Sequence, residues 1–313
     1  MSEAPAEIVA LAERRELARG ERDFATADRL RDEIAELGWV VADDPRGFAL
    51  SPRPPFEVYP SLSALPDRAA EPSSRRCGLL LLVSGWPDDI VRCLGAWLEH
   101  APSDLVVVAL DLGDVDGAGR AVHELARAHP DRIEEWHVAP NEQMAGWGPA
   151  MNALARLDPS EIQVIADPSS ILDGDAVTPL LESLDDPTVV AAGWRGVNVD
   201  VDEDWRSFTD ASTGEVDAVL GYLFAVRRKA LADVGGYATK ARFYRNADME
   251  LSLLLREAGG RIVVPEGELP VHQERHRGYH DSDPERRERE SRKTYDRLLK
   301  RFRGRADLLA PRA

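Results

Sequence analysis

The chain has 313 residues, 43% of them hydrophobic, with 39 Lys and Arg against 56 Asp and Glu for a formal charge of -17. That length admits one large domain and an appendage, and that charge argues against a nucleic-acid partner, because phosphate is repelled at long range. No run of about 18 apolar residues is present to span a bilayer, no basic amphipathic stretch to hold anionic lipid, and the start, Met1-Ser2-Glu3-Ala4-Pro5, is acidic where a signal peptide is basic and apolar. Two cysteines, Cys77 and Cys93, lack metal-ligand spacing and make no disulfide framework. The expectation is a cytoplasmic protein with reduced thiols.

Residues 6–37 are rich in Ala, Leu, Arg and Glu at a helical period, which predicts a helical hairpin. A first helix is expected over Ala6 to Arg19, broken at Gly20, and a second capped by Thr26 and closed by Gly38. Trp39 to Phe48 follows as a short extended piece with a turn, so the first domain is placed at residues 1–50. The run from Phe24 to Gly38, with the turn Asp43-Asp44-Pro45-Arg46-Gly47 after it, resembles the C-terminal tail of bacterial cysteinyl-tRNA synthetases. In that family the tail belongs to the tRNA-contacting end. The synthetase's catalytic domain, nucleotide signatures and zinc cysteines are absent, so aminoacylation is not expected. The hairpin's arginines are interleaved with glutamates, which favours i,i+4 pairing over a phosphate patch. Docking on the next domain or on another subunit, with a homo-oligomer as one result, is the expectation; retained RNA contact is the alternative. Residues 51–76 carry Pro52, Pro54, Pro55, Pro60, Pro66 and Pro72 among serines, the composition of a linker without a core.

From Gly78 the pattern alternates. Strands are expected over Gly78 to Ser84, Leu105 to Leu110, Ile133 to Val138, Ile162 to Ala166 and Val189 to Trp194. Helices are expected over Asp88 to His100, Ala118 to Ala128, Gly148 to Leu157 and Asp175 to Leu184. Near-continuous apolar strands between amphipathic helices predict an α/β domain, residues 77–281, with a mostly parallel sheet covered on both faces. Ligands of such sheets sit beyond the carboxyl ends of the strands, where Asp111 and Asp167 both fall. Residues 195–218, with Asp200, Asp202, Glu203, Asp204 and Trp205, read as a mobile surface loop near the cleft. The tail, 282–313, holds a charged helix over Pro284 to Phe302 with Tyr295, Leu298, Leu299 and Phe302 facing inward.

The stretch Gly221-Tyr222-Leu223-Phe224-Ala225-Val226-Arg227-Arg228, then Val234-Gly235-Gly236-Tyr237, then Asn246-Ala247-Asp248-Met249-Glu250-Leu251, Gly259-Gly260 and His272 resembles the second half of a family 2 glycosyltransferase with a GT-A fold. The resemblance covers residues 78–280. It implies transfer, with inversion, of a sugar from a nucleotide-diphosphate sugar to an acceptor that the sequence does not identify. It assigns Ser84-Gly85-Trp86 and Asp111 to the nucleotide, matches Gly148 and Asn152 to a Gly-x-x-x-Asn element before the central strand, and puts Gly221 and Tyr222 on the acceptor side. A glycine at 221 permits close backbone approach.

Such transfer needs a base for the acceptor proton, cations or dipoles for the departing diphosphate, and a pocket holding both substrates in line. The resemblance makes Asp248 the base, at a helix start that Asn246 can cap and where an anion is favoured; the preceding acid of the family's Glu-Asp pair is Ala247 here. Glu250 matches the next acidic position and is expected to orient an arginine or the acceptor, unless both acids only stabilise their helix. Asp167-Pro168-Ser169 occupies the place of the family's Asp-x-Asp, which implies a divalent cation, Mn or Mg, on Asp167, Ser169 and His272. Ser169 is a weaker ligand than the aspartate it replaces, and Asp173 and Asp175 lie near enough in sequence to compensate. Arg277, beside His276, makes a basic spot suited to diphosphate. Ser169 and Ala247 leave open a second reading, a catalytically degenerate GT-A module that binds nucleotide or a protein partner.

Overall fold

The computed structural model describes residues 4–44 and 47–312; Met1 to Glu3, and Pro45 and Arg46 of the expected turn, lie outside the described residues. The chain divides into two units, Met1–Phe56 and Glu57–Ala313. In the first, helices α1 (Ala6–Gly20) and α2 (Phe24–Glu36) precede an antiparallel pair, β1 (Trp39–Asp44) and β2 (Gly47–Pro52). Ile8, Leu11 and Ala12 of α1 meet Leu30 and Ile34 of α2 and Val41 of β1 in a small core. Asp23, not Thr26, caps α2: its carboxylate accepts the Thr26 N–H at 3.1 Å. The aspartate stands where the chain leaves the turn and offers an anionic acceptor to the helix N-terminus, leaving Thr26 inside the first turn.

The second unit is built on β3 (Cys77–Val83), α3 (Pro87–His100), β4 (Val106–Asp111), α4 (Ala118–Ala128), β5 (Ile133–His137), α5 (Trp147–Leu157), β6 (Ile162–Ala166), β7 (Ser170–Leu172), α6 (Thr178–Ser183) and β8 (Val189–Gly193). Then come β9 (Gly196–Val199), β10 (Phe208–Ala211), β11 (Gly214–Glu215), β12 (Ala218–Val219), β13 (Leu223–Arg227), α7 (Arg228–Asp233), α8 (Ala247–Glu257), β14 (Arg261–Val264), β15 (Val271–Gln273), α9 (Arg277–His280) and α10 (Pro284–Phe302). Eight strands form one sheet in the order β11-β14-β8-β13-β6-β3-β4-β5. β6, β3, β4 and β5 run parallel, β8 and β14 run parallel, and β13 lies antiparallel between β6 and β8.

Alternation along β3 builds both cores. Leu79 and Leu81 face a core with Ile90 and Trp97 of α3, Val122 of α4 and Leu180 of α6; Leu80 faces Met151 and Leu154 of α5, Leu231 of α7 and Leu251 and Leu255 of α8. A side-chain period of two requires this split when a strand is buried on both faces.

Two expectations of irregular structure give way. Leu62 and Leu65 of the proline-rich segment are buried with the α5-side core, and Tyr59 extends the sheet edge by a parallel bridge to Val138. Prolines had hidden the few apolar anchors between them. Residues 195–218 are no loose loop: β10, β9 and β12 form an antiparallel sheet, and Val197, Val199, Trp205 and Ala218 pack with Met249 and Leu253 of α8 and Leu298 and Phe302 of α10. Valines alternating beneath the acids supply a buried face that the net polarity conceals.

Candidate active site

Three segments at the carboxyl edge of the sheet converge. After β3 the chain turns through Ser84-Gly85-Trp86, with Gly85 at φ +125, a conformation open to glycine. Trp86 follows in the left-handed region (φ 55, ψ 66) and Pro87 opens α3. A bulky side chain held there is a costly conformation of the kind that collects at ligand sites. After β6 come Asp167, Pro168 and Ser169, with the Asp167 N–H donating to the Tyr222 carbonyl at 3.0 Å. The third segment is the start of α8. Asn246 is left-handed (φ 69) and, contrary to expectation, makes no side-chain cap; its amide donates instead to the Ser291 carbonyl of α10 at 3.2 Å. Asparagine is one of the few residues that tolerate that backbone. Together with residues 275–278 and the start of α10, these segments enclose a cavity of about 350 Å³ lined by Ser84, Gly85, Trp86, Asp167, Ser169, Gly221, Asp248 and Arg277.

Asp248 is held by backbone alone. One carboxylate oxygen accepts the Gly221 N–H at 2.7 Å and the other the Met249 N–H at 2.9 Å. A Cβ on residue 221 would lie 3.3 Å from that carboxylate, so the approach suits glycine. Burial pushes the Asp248 pKa above the ordinary aspartate value, outweighing the backbone amides that favour the anion. Asp167 is held differently. Its Oδ1 accepts both the Ser169 N–H at 2.8 Å and the Ser169 hydroxyl at 2.5 Å, and its Oδ2 meets His276 Nε2 at 3.0 Å. His276 stacks on Tyr244 at 4.7 Å between centroids, with Nδ1 3.2 Å from the tyrosine hydroxyl. Burial pulls the His276 pKa below the ordinary histidine value against the attraction of Asp167. A neutral imidazole that donates to Asp167 and accepts from Tyr244 fits both contacts.

Other expected site residues lie elsewhere. Asp111 is fully buried: its carboxylate accepts the Asp114 N–H at 2.9 Å and faces His137 Nδ1 at 3.2 Å. Gly148 is closed against the backbone of Ala238 and Ala241, and Asn152 clamps both the N–H and the carbonyl of Tyr237 at 2.8 Å. These two join α5 to the segment that precedes α8 and do not line the cavity. Tyr222 contributes its carbonyl, while its ring lies 5.7 Å from the Arg195 guanidinium. Glu250 is buried and takes both arms of Arg297 at 2.6 Å, tying α8 to α10. His272 stays outside: β15 pairs with β7, and the histidine is turned toward solvent on Asp173 at 2.7 Å. The histidine that reaches Asp167 is His276, beyond the end of the strand, where the chain has turned back over the sheet edge.

Sequence reasoning missed Asp89, Trp147, Phe243, Tyr244, Arg286 and Arg287, all of which line the cavity. A readable signal was present only for the arginines, which cluster in an acidic chain.

The expected cation ligands fall short of a set. Asp167 gives one carboxylate, already engaged on both oxygens, His276 one imidazole, and Ser169 a hydroxyl that points at Asp167. Among the described residues no group of three His, Cys, Asp or Glu could hold a metal ion. Hard divalent cations take several oxygen ligands, carboxylates foremost, so these residues do not fit a dedicated cation site.

Residues 1–48 match the cysteinyl-tRNA ligase anticodon binding domain. The chain is 53% identical over 51 residues to the cysteine–tRNA ligase of Opitutus terrae, covering 16% of this chain and 11% of that one. It is 60% identical over 42 residues to the enzyme of Alkalilimnicola ehrlichii, covering 13% and 9%. The chain thus spans about a tenth of the length of these curated relatives. Among solved structures it is similar to GalNAc-T7 with UDP, GalNAc and Mn2+, at a TM-score of 0.58 and 13% identity, covering 72% of this chain and 48% of that one. It is also similar, at a TM-score of 0.49 and 23% identity, to the mannosyltransferase PcManGT from Pyrobaculum calidifontis in complex with GDP-Man and Mn2+, covering 68% and 58%. The fold over most of the chain is that of the GT-A glycosyltransferases, preceded by a helical hairpin of the ligase type.

Proposed function

We propose that this chain is a glycosyltransferase of the family 2 type that moves a sugar, with inversion, from a nucleotide-diphosphate sugar to an acceptor hydroxyl, with Asp248 as the base. One observation carries the reading: Asp248 and Asp167 share a cavity with the Ser84-Gly85-Trp86 turn at the carboxyl edge of a GT-A sheet. The acceptor oxygen attacks the anomeric carbon while the bond from that carbon to the phosphate oxygen breaks. The hydroxyl proton passes to the Asp248 carboxylate, and the bonding pair leaves with the diphosphate. A raised pKa makes Asp248 a stronger base than an exposed aspartate, and the Gly221 and Met249 amides hold it in one orientation. The faces of Trp86 and Phe243 offer apolar platforms for base or sugar. Asp111 serves by holding the loop after β4. No step is routed through a metal, since the donor set does not fit one. We place the activity in the cytoplasm, in keeping with the free, buried thiols of Cys77 and Cys93 and with the lack, among the described residues, of a helix long and apolar enough to cross a membrane. The hairpin serves as a docking element for assembly.

UDP accompanies the fold neighbour GalNAc-T7, so UDP-sugars head the donor panel. Asp248→Asn should lower transfer about 10²–10⁴-fold while nucleotide binding persists. The folded-state pKa of Asp248 is raised, so its ionisation opposes folding as pH rises above the ordinary aspartate value, and wild-type stability should fall with pH there relative to the same variant, which does not titrate. Wild-type turnover in Asp248→Asn would remove the base. The second reading, a binding module without turnover, is favoured by Ser169 and Ala247; it predicts nucleotide binding by the wild-type protein and no transfer from any donor.

A further inference from the structure

The donor set around Asp167 disagrees with the cation that the fold leads one to expect. The face of Asp167 Oδ2 is filled by the His276 imidazole, and the second acid of the motif is Ser169. Beside this weakness stands a cluster of another kind, four arginines that share the lining with Asp89 and Asp283. Arg275, Arg277, Arg286 and Arg287 all line the same cavity, in a chain whose formal charge is -17. Resting on the transferase reading above, we propose that the cavity binds the diphosphate of its donor without a divalent cation, and that these four arginines neutralise it instead.

The surrounding acids leave the arginines available. Asp89 is shared between Arg92 at 2.6 Å and Arg277 at 3.3 Å. Asp281 holds Arg275 through one arm at 2.6 Å, and Asp283 spends its carboxylate on the Arg286 backbone N–H at 2.7 Å, capping α10. An arginine carries five N–H donors, so one ion pair leaves most of the fork of Arg275 and Arg277 free. Arg287 lies 4.2 Å over the Tyr279 ring and donates one arm to the Tyr279 carbonyl at 2.5 Å, which stiffens it along the cavity wall. The Arg286 side chain makes no ion pair among the described residues. Guanidinium forks match phosphate oxygens two at a time, and fixed cations around a departing phosphate stabilise the charge that grows there.

The arrangement is local. Arg275 sits in the turn after β15, the turn that carries His276 to Asp167, Arg277 opens α9 directly after it, and Arg286 and Arg287 occupy the first turn of α10, which Asp283 anchors. The segment that fills the cation's side of Asp167 is therefore the one that brings two of the replacing charges.

The test is calorimetric titration of the full chain with UDP, GDP and CDP, and with uridine, guanosine and cytidine as phosphate-free controls, once in EDTA and once in Mn2+. One of the three diphosphates should bind in EDTA with a Kd within about threefold of its Mn2+ value and about tenfold or more tighter than its nucleoside. Arg286→Gln and Arg277→Gln, each checked for unchanged melting temperature, should weaken that diphosphate about tenfold and leave the nucleoside alone; Arg286→Lys should recover only part of the loss. Binding that appears only with Mn2+ overturns the arginine clamp and leaves the transferase reading standing. Diphosphate affinity in EDTA that ignores both glutamine variants also overturns the clamp. If no diphosphate binds in either condition, the transferase reading falls and takes the clamp with it.

Discussion

Two aspartate–histidine pairs sit at the same edge of this sheet and behave in opposite ways. Asp111 and His137 meet at 3.2 Å, Asp167 and His276 at 3.0 Å. His137 is raised above the ordinary histidine value: burial acts to strip its proton, but hydrogen bonds to Asp111 and Glu135 on its two ring nitrogens outweigh burial. His276 is lowered, because burial wins over a single carboxylate. The first pair is sealed. A Cβ on Gly119 would lie 2.5 Å from Asp111, so the start of α4 closes directly over the carboxylate, and Glu135 extends the network to His123 at 2.7 Å. The second pair faces the cavity. The lesson is that a carboxylate at a strand end faces a cavity or is sealed from it according to what the next loop does with it. Both strand ends look alike in the sequence.

The comparison breaks most easily at Asp111. Asp111→Asn takes an anionic acceptor from both the buried His137 ring and the Asp114 N–H and should cost about 3 kcal/mol of stability, read by chemical denaturation. A variant of normal stability but poor nucleotide affinity would put Asp111 back in the site. Asp167→Asn should do the reverse, lowering transfer about 10²-fold by disorienting Ser169 and His276 while costing about 1 kcal/mol of stability. Asn152→Ala strips both partners from the Tyr237 backbone and should cost about 1–3 kcal/mol; a selective loss of donor affinity at unchanged stability would make Asn152 a ligand contact. The smallest effect concerns pH. A histidine whose folded-state pKa is raised contributes stability that is complete below its unfolded value of 6.5 and is lost as pH rises through the folded value. Wild-type stability should therefore carry a decline above pH 6.5 that His137→Gln lacks; parallel curves for the two proteins would show that His137 is neutral.

Much of the architecture was legible. Apolar runs such as Leu79 to Val83 and Ile162 to Ala166 can bury both faces only inside a covered sheet, and the helix over Ala118 to Ala128 stands as its periodicity requires. The hairpin was legible from a close match in Phe24 to Gly38. Of the residues singled out in the sequence, Ser84 to Trp86, Asp167, Gly221, Asp248 and Arg277 line one cavity. His272 stays outside the cavity and His276 lines it because strand pairing fixes which way His272 points, and sequence spacing cannot distinguish the two. Phe243 and Tyr244 reach the cavity from a segment with no periodicity to read.

The order and kind of the elements follow from the chain alone, because side-chain period and hydrophobic burial are local in sequence. Which acids face the cavity is a matter of loop closure: Asp111 was sealed by the start of α4, Glu250 was claimed by Arg297 from α10, and Asp248 was left lining open space. These are contacts between residues far apart in sequence, and their geometry exists only once the sheet has brought its edges together.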